Sequence, residues 1–493
     1  MRTSLCFAAL LSLSVPAQAQ ETPAAVESAR SEELGSRVDT ILATAPVGTR
    51  YGIVVQRLDG TELLAVAPDQ RFIPASNTKV YTTLAAYHEL AALQRAAEGT
   101  GVRIEPAGAG MVDVVLEGRG EATLSSAPDC LVQCLAVLAD AVASRTKRVR
   151  NVVGDASWYP DERWSAGMSW NNIPFRYGSA VAALMVDDNE LWVTASPGKA
   201  GEAVRIESDG YYRIENRART VPGDADNLSV SRMPGSDLLV LDGTIGEASK
   251  PSVYRLAIDD PAHRAAWRLA RMLEAGGVTV TGGVSAIYRP VTPMDDPAER
   301  GDAPVASPPK ETMLASLPPE ALAADIITIN KVSQNLHAEM MLRRVGKLTG
   351  SGSVADGQAA MARMMVAAGL SADGVVLSDG SGMSSYNRAS PRTTARLLGW
   401  AARQDWFEAW RSTLPVGGVD GTLARRFADT PLSGRLFAKT GSLNASRALS
   451  GYLIAASGET LVFSAFANDI PSDREGAATA AMDSALLAIA AAF

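Results

Sequence analysis

The sequence predicts an α+β fold in which one discontinuous domain carries a large insertion. Strand-like segments lie near both ends of the 493-residue chain, and long helical patterns precede the strands at the C-terminal end. Between these ends the pattern changes, and short strand-like runs alternate with glycine and proline turns. At roughly 150 residues per domain, the length corresponds to about three domains. We therefore expect residues 20–92 and 320–493 to form one domain, with residues 93–319 inserted between them.

Residues 1–19 have the pattern of a secretory signal peptide. Arg2 precedes an apolar stretch from Leu5 to Val15, and an A-x-A site ends at Ala19. The apolar stretch is too short to span a bilayer. We therefore expect cleavage after Ala19, a mature chain that begins near Gln20, and a location in the periplasm.

The first elements of the mature chain are a predicted hairpin and a helix. Segments 51–58 and 61–67 are rich in apolar residues, and an Asp-Gly pair between them provides the turn. A helical pattern follows Pro74, which suits a helix start, and continues to about Leu90.

The later elements begin in the inserted region, which ends in the segment 290–319. This segment holds eight of the 26 prolines and is interpreted as a linker or a wrapping loop. Strand-like runs of the insertion cover 111–118, 150–158, 191–198 and 236–246. After it, predicted helices cover about 320–346, 354–369 and 475–492, and predicted strands cover 435–441, 448–456 and 460–467.

The composition excludes several classes of function. The chain has 46 Lys+Arg against 54 Asp+Glu and a net charge of −8, so it is a poor candidate for nucleic-acid binding. Its three histidines, His88, His263 and His337, lack the spacing of metal ligands. This argues against a His-based zinc site and a Ser-His-Asp triad, and we expect no metal or organic cofactor.

Beyond the signal peptide, no segment reaches eighteen unbroken apolar residues, so no transmembrane helix is expected. The run Ala485 to Phe493 is interpreted as the buried face of a last helix. A weak association of this run with a membrane is the alternative.

Cys130 and Cys134 remain after the signal peptide is removed. On a helix, positions i and i+4 place their Cβ atoms about 5–6 Å apart, whereas a disulfide requires about 3.5–4.5 Å. We therefore expect two small buried side chains. A disulfide, which export favours, is the alternative.

Ser76 and Lys79 form a Ser-x-x-Lys motif at the start of the first predicted helix. Residues three apart share one helix face, and a lysine whose ammonium is destabilised by burial or by a second cation can act as base for a serine. The helix N-terminus offers N–H groups for an oxyanion. The spacing is common, since Ser307 and Lys310 also fit it, although prolines exclude a helix there. A helix start without catalytic function is the alternative.

Lys439, Thr440 and Gly441 form the chain's one Lys-Thr-Gly sequence, and Ser442 follows. At a strand edge, the cation and hydroxyls can bind a carboxylate, and the backbone can pair with an extended peptide. An ordinary strand end with a turn glycine is the alternative.

A Ser-x-Asn element would complete the set of motifs that penicillin-binding proteins and β-lactamases share. Four stretches fit it, and their serines are Ser169, Ser333, Ser385 and Ser442. Ser333 lies in a strongly helical stretch, whereas Ser385 lies in a loop rich in glycine and serine. The pattern alone does not choose between them.

Six further blocks resemble those of the D-alanyl-D-alanine carboxypeptidase/endopeptidase family, the class C low-molecular-mass penicillin-binding proteins. The resemblance extends from about residue 35 to residue 493. The blocks are GRGEATL (118–124), YGSAVAALMVDDNEL (177–191), NKVSQNLHAEMML (330–342), LSDGSGMS (377–384), GVDGTLARRF (418–427) and AKTGSL (438–443). The family's Ser-x-Asn lies in the third of these blocks, so the resemblance selects Ser333 and Asn335 and leaves Ser385 as a weaker rival.

The resemblance implies a penicillin-binding-protein/β-lactamase-like transpeptidase domain, an antiparallel sheet flanked by helices, with two accessory domains in the insertion. It also implies a serine DD-peptidase of peptidoglycan stem peptides that β-lactam antibiotics inhibit covalently. Such an enzyme cleaves D-Ala-D-Ala as a carboxypeptidase, or a D-Ala-diaminopimelate cross-link as an endopeptidase.

The resemblance assigns a catalytic role to five residues. Ser76 is the nucleophile, and Lys79 is its base, kept neutral in part by the charge of Lys439. Ser333 passes a proton to the leaving amine. Asn335 holds the substrate amide or orients Lys79.

It assigns substrate binding to Thr440, Gly441 and Ser442. The hydroxyls would hold the terminal carboxylate together with Lys439, and the N–H groups of Ser76 and Ser442 would form the oxyanion hole.

One departure concerns the substrate side-chain pocket. The family usually continues with Val after the AKTGSL block (438–443), whereas Ala445, Ser446 and Arg447 come after Asn444 here. A β-lactamase or esterase with the same triad is one alternative function, and the large insertion argues against it. A non-enzymatic peptidoglycan-binding scaffold is the other, and the intact site residues argue against it.

Overall fold

The structure is a computed structural model that describes residues 23–305 and 311–493. The predicted signal peptide, the start near Gln20 and the pair Ser307 and Lys310 lie outside the described residues. The strands are β1 (Arg50–Arg57), β2 (Glu62–Val66), β3 (Gly101–Gly108), β4 (Met111–Glu117), β5 (Arg148–Pro160), β6 (Glu190–Ser196), β7 (Arg205–Glu207), β8 (Arg213–Asn216), β9 (Arg219–Val221), β10 (Asp226–Ser231), β11 (Leu238–Gly246), β12 (Ser252–Ala257), β13 (Thr279–Val280), β14 (Val284–Arg289), β15 (Ala315–Ser316), β16 (Val375–Val376), β17 (Arg388–Ala389), β18 (Leu436–Leu443), β19 (Ser446–Ile454) and β20 (Thr460–Asn468). The helices are α1 (Pro23–Leu42), α2 (Thr78–His88), α3 (Leu90–Ala96), α4 (Leu135–Arg145), α5 (Pro261–Ala275), α6 (Pro297–Arg300), α7 (Leu322–Ile327), α8 (Asn335–Lys347), α9 (Val354–Ala367), α10 (Pro391–Ala401), α11 (Phe407–Arg411) and α12 (Glu475–Ala492).

An antiparallel sheet joins the two ends of the chain, in the strand order β18-β19-β20-β1-β2. The predicted hairpin forms from β1 and β2, and β1 also pairs with β20, with Arg50 opposite Asn468. Alternation along β1 sends Ile53 and Val55 to the face on which α1 and α12 pack, and Val54 to the face on which α2, α8 and α10 pack. Helices therefore cover both faces of the sheet.

The last helix, α12, packs its apolar side against this sheet. Leu486 and Ile489 are fully buried in the same cluster as Ala465 of β20. The interpretation of the run Ala485 to Phe493 as a buried helix face is confirmed. In the described part of the chain, no helix is long and apolar enough to cross a membrane.

The inserted region contains a mixed sheet in the order β13-β5-β4-β3-β15, with β14 also paired to β5. Helices α4 and α5 pack on it. Between β5 and α5, the strands β6 to β12 form smaller sheets with apolar clusters of their own. The segment 290–319 contributes β15, which pairs with β3, so it is more than a linker. The exact domain limits stay a prediction.

The segment of Cys130 and Cys134 is a loop, and the two residues form a disulfide. Helix α4 begins only at Leu135, and Gln133 has a left-handed φ of 58°. This turn brings the two Cα atoms to 5.7 Å, within the range that a disulfide requires. The expectation of two small buried side chains is therefore wrong, because it assumed a helical path.

Candidate active site

The Ser-x-x-Lys motif lies where the chain enters the first helix of the central domain. A short 3₁₀ turn, Ala75–Asn77, carries Ser76 and continues into α2, on which Lys79 lies. Ala75 has a left-handed φ of 47°, a conformation that costs energy for a residue with a side chain. This turn leaves Ser76 half-buried at a cleft, with Lys79 Nζ 3.1 Å from its Oγ.

Three oxygen atoms surround Lys79 Nζ. They are Ser76 Oγ at 3.1 Å, Asn335 Oδ1 at 2.6 Å and the carbonyl oxygen of Ser381 at 2.6 Å. The Asn335 amide is oriented by its Nδ2, which donates to the carbonyl oxygen of Tyr177 at 2.8 Å. A neutral amine has two N–H groups for Asn335 and Ser381, whose oxygens can only accept. Its lone pair then faces the Ser76 hydroxyl, as a general base requires.

Burial lowers the pKa of Lys79 to about 7, although the charges of Asp379 and Glu339 oppose this shift. A large share of Lys79 is therefore neutral near pH 7. The resemblance implies that the charge of Lys439 contributes to this shift, whereas in the structure the pKa of Lys79 is lowered by burial. The pKa of Lys439 itself falls well below its usual value because of its burial and of the charge of Lys79.

Two buried carboxylates hold the loop that contacts Lys79. Asp379 accepts from the backbone N–H of Gly382 at 2.9 Å, and Glu339 accepts from that of Ser381 at 2.9 Å. Burial, with the nearby charge of Glu339, raises the pKa of Asp379 to about 6. Gly382 has a φ of 91°, and a Cβ there would lie 1.8 Å from the carbonyl oxygen of Ala75. Only glycine therefore lets this loop approach the nucleophile turn.

Sequence analysis gave these two acids no role. Both lie in blocks that carry the family resemblance, Glu339 in 330–342 and Asp379 in 377–384. The signal was present, but it did not indicate that both blocks meet around Lys79.

Ser333 lies at a break in a predicted helix. Helix α7 passes into a π-helical turn, Thr328–Val332, and Ser333 adopts a left-handed φ of 64° before α8 begins. The prediction of one continuous helix over 320–346 is therefore wrong, since a left-handed residue cannot continue a right-handed helix. The break places Ser333 Oγ 2.9 Å from Lys439 Nζ.

Strand β18 brings the Lys-Thr-Gly motif beside the nucleophile turn. Lys439 is fully buried and its Nζ contacts Ser333 Oγ, whereas Thr440 and Ser442 line the cleft. A Cβ on Gly441 would lie 2.5 Å from the carbonyl oxygen of Pro74. The glycine thus allows the strand to pack closely against the turn that carries the nucleophile.

The cleft in front of these groups has a volume of about 410 Å³. The predicted site residues that line it are Ser76, Ser333, Asn335, Thr440 and Ser442. The inserted region supplies part of its wall through Asn172, Arg176 and Tyr177, to which sequence analysis gave no role. The insertion is therefore part of the candidate site.

The rival serine, Ser385, has different contacts. It is exposed, and its hydroxyl donates to the carbonyl oxygen of Gly167 at 3.1 Å. Of the two candidates, Ser333 is the one that lies beside Lys439 in the cleft. Its role in proton transfer stays a prediction.

Comparison with known proteins places this site in a family. The model of the D-Ala-D-Ala carboxypeptidase 3 (S13) family matches residues 34–489. The chain belongs to this family. The D-alanyl-D-alanine carboxypeptidase of Actinomadura sp. (strain R39) is 31% identical over 458 residues, which cover 88% of this chain and 81% of the relative. The D-alanyl-D-alanine carboxypeptidase DacB of Haemophilus influenzae is 24% identical over 454 residues, with 87% and 88% covered.

A solved structure with the same fold is penicillin binding protein 4 (dacB) from Haemophilus influenzae. Its TM-score is 0.76 at 22% identity, with 91% of this chain and 98% of the other covered. The same protein complexed with a β-lactam has a TM-score of 0.69 at 20% identity, with 91% and 99% covered. The predicted α+β fold of the penicillin-binding-protein type, and the predicted family, are confirmed.

Proposed function

We propose that the protein is a periplasmic serine DD-peptidase of peptidoglycan stem peptides, acting through an acyl-enzyme on Ser76. The observation that carries this proposal is the distance of 3.1 Å between Lys79 Nζ and Ser76 Oγ, on a lysine whose pKa burial lowers to about 7. The names of the two relatives, both D-alanyl-D-alanine carboxypeptidases, support the substrate class. The substrate is a D-Ala-D-Ala terminus, a D-Ala-diaminopimelate cross-link, or both.

Acylation begins when Ser76 Oγ attacks the carbonyl carbon of the penultimate D-alanine and Lys79 Nζ takes its proton. The N–H groups of Ser76 and Ser442 stabilise the oxyanion. The C–N bond then breaks, and Ser333 gives its proton to the leaving amine. Ser333 then takes a proton from Lys439 Nζ, from which its Oγ accepts. Lys439 takes the proton that Lys79 received from Ser76, so both lysines return to their starting states.

Deacylation returns the enzyme to its starting state. Lys79, neutral again, takes a proton from water, which attacks the ester carbonyl on Ser76. The shortened peptide leaves, and the proton returns to Ser76 Oγ. Asn335 and the Ser381 carbonyl hold Lys79 in place through both steps.

The terminal carboxylate of the substrate is placed on the hydroxyls of Thr440 and Ser442, which line the cleft. Lys439 stands behind them, fully buried, and acts on the carboxylate through its field rather than through contact. A β-lactam, which carries a carboxylate beside a strained amide, would enter in the same way and remain on Ser76 as a stable ester.

Mass spectrometry after incubation with a penicillin tests the proposal. We expect one adduct, on the peptide that contains Ser76, and none in Ser76→Ala. Ser385→Ala is the matched control, since this serine lies outside the cleft, and it should be labelled like the wild type. An adduct on Ser333, or labelling of Ser76→Ala, would contradict the assignment.

Turnover measurements separate this function from its alternatives. A DD-peptidase releases D-alanine from a D-Ala-D-Ala peptide and turns penicillin over slowly, whereas a β-lactamase does the reverse. A cross-linked dimer offered beside a pentapeptide distinguishes endopeptidase from carboxypeptidase. A protein that cleaves neither peptide would overturn the proposal in favour of a scaffold.

Export is tested by N-terminal sequencing of the protein recovered from the periplasm. Cleavage after Ala19 predicts a sequence that begins at Gln20. An intact Met1 would contradict the signal peptide.

A further inference from the structure

A second cleft, of about 740 Å³, lies between two parts of the inserted region. One wall is formed by the loop 123–127 with Asp187 and Asp188. The other is formed by β6, the segment 207–209 and β12, and α5 contributes Arg264 and Arg268 to the lining. The catalytic steps above use none of these residues.

An aromatic side chain is displayed in this cleft. Trp192 of β6 is 56% exposed, although tryptophan is normally a residue that buries a large apolar area. The guanidinium of Arg255 lies 4.8 Å from the centre of its ring, and Arg255 is in turn paired with Glu190 at 2.5 Å. Glu190 thus holds Arg255 in place beside the indole, and the exposed apolar surface of the ring remains available to a ligand.

The polar lining carries both signs of charge. Arg268 Nε donates to Ser126 Oγ at 2.7 Å, and the Ser126 N–H donates to Asp187 at 2.7 Å. Five carboxylates, three guanidinium groups and several serine hydroxyls line the cleft.

This mixture disfavours a ligand with one strong charge, since an anion meets the carboxylates and a cation meets the arginines. A neutral polyol suits it, because each hydroxyl both donates to a carboxylate and accepts from a guanidinium. The C–H face of a pyranose ring is apolar and flat enough to cover an exposed indole. Both features therefore point to a carbohydrate.

The cleft adjoins the catalytic one. Asp188 lines the second cleft, Gln334 lines the catalytic cleft, and Gln334 Nε2 donates to Asp188 Oδ2 at 3.4 Å. His337 Nε2 also pairs with Asp188 Oδ1 at 3.1 Å. A polymer seated in the second cleft would therefore have its substituents beside the entrance to the first.

We propose that this cleft binds the glycan of peptidoglycan, the amino-sugar polysaccharide from which stem peptides branch. The proposal rests on the proposed function, which supplies the stem peptide to the catalytic cleft. In this arrangement the glycan stacks on Trp192, and its hydroxyls bind the charged groups of the two walls. The inserted region then selects polymeric substrate over free peptide.

The test is calorimetric titration of Ser76→Ala with a soluble oligomer of N-acetylglucosamine, a neutral amino-sugar chain. The variant is used so that no turnover occurs. We expect saturable binding that Trp192→Ala weakens about tenfold or more, the usual cost of losing a central aromatic contact. Trp192→Phe, which keeps a ring, should restore most of it. Met233→Ala, an exposed apolar residue of the same region outside the cleft, should bind like the parent.

A second measurement compares substrates in the otherwise wild-type enzyme. Trp192→Ala should lower the ratio of the hydrolysis rate of intact sacculi to that of a free pentapeptide about tenfold. A merely structural role for Trp192 would lower both rates together, and would overturn the proposal.

The remaining outcomes separate this proposal from the function on which it rests. A protein that penicillin labels on Ser76, but that does not bind the N-acetylglucosamine oligomer, overturns the glycan site and leaves the peptidase intact. Displacement of the glycan by free stem peptide assigns the cleft to peptide and also overturns it. Glycan binding without labelling of Ser76 overturns the peptidase instead.

Discussion

The catalytic cleft and the cleft of the inserted region treat charged groups in opposite ways. In the first, the lysines and Asp379 are buried, and burial shifts the pKa of each. In the second, Arg255 and Arg268 remain partly exposed and lie among carboxylates. Burial disfavours the ionised form of a group and shifts its pKa, so a buried lysine or carboxyl group can exchange a proton near neutral pH. Charges left in contact with water can exchange it for a ligand. Substitutions in the first cleft should therefore alter the chemical step, and those elsewhere should alter binding or stability.

The largest effect is expected from Lys79→Met, which keeps the volume and removes the base. Acylation by a chromogenic cephalosporin should slow by roughly 10²- to 10⁴-fold, the usual contribution of a general base. Lys199→Met, at an exposed site of the inserted region, is the control and should react like the wild type. If Lys79→Met kept most of its acylation rate, Lys79 would not be the base, and the contrast between the two regions would be contradicted.

The next effect concerns the second serine. Ser333→Ala removes the hydroxyl beside Lys439 and should slow acylation by roughly a hundredfold. Ser385→Ala should keep nearly the full rate, since its hydroxyl contacts the inserted region. Stopped-flow acylation measures both, with thermal melts to verify folding. If Ser385→Ala were slow and Ser333→Ala nearly normal, the second catalytic serine would instead be Ser385, in the glycine-rich loop.

A smaller effect is expected on the pH profile. Acylation requires neutral Lys79, so its rate should rise as the pH increases through about 7 and then level off. The charge of Asp379 raises the pKa of Lys79. Asp379→Asn should therefore shift the rising limb to lower pH.

Asp469→Asn provides the control for this shift, since Asp469 is exposed and paired with Arg50. Its pH profile should match that of the wild type. A rising limb that moves to higher pH in Asp379→Asn would show that another group sets it.

The smallest effect on activity is expected from the double variant Cys130→Ser/Cys134→Ser. The bridge closes a loop of sequence separation 4 in the inserted region, and loop entropy alone limits its contribution to about 2 kcal/mol. We expect a higher melting temperature for the oxidised wild type than for the variant, with unchanged acylation of Ser76. A large loss of acylation would show that the two regions are more tightly coupled than the comparison implies.

The elements of the central sheet were predictable because their signals are local. Apolar, strand-like runs identified β1, β2 and β18 to β20, with an Asp-Gly turn between the first two. The spacing of Ser76 and Lys79 on one helix face follows from the helix itself. The disulfide and the interruption at Ser333 were not predictable in this way. Each depends on one residue with positive φ, Gln133 or Ser333, and neither residue type requires that conformation.

The α+β class, the family and the identity of the motif residues follow from residue types and their order along the chain. Which groups meet in space depends on the tertiary packing. Lys79 is contacted by Asn335 and Ser381, which lie 256 and 302 positions away in the chain. Its pKa depends on burial by the whole surrounding core, and burial is a property of packing that no local pattern contains.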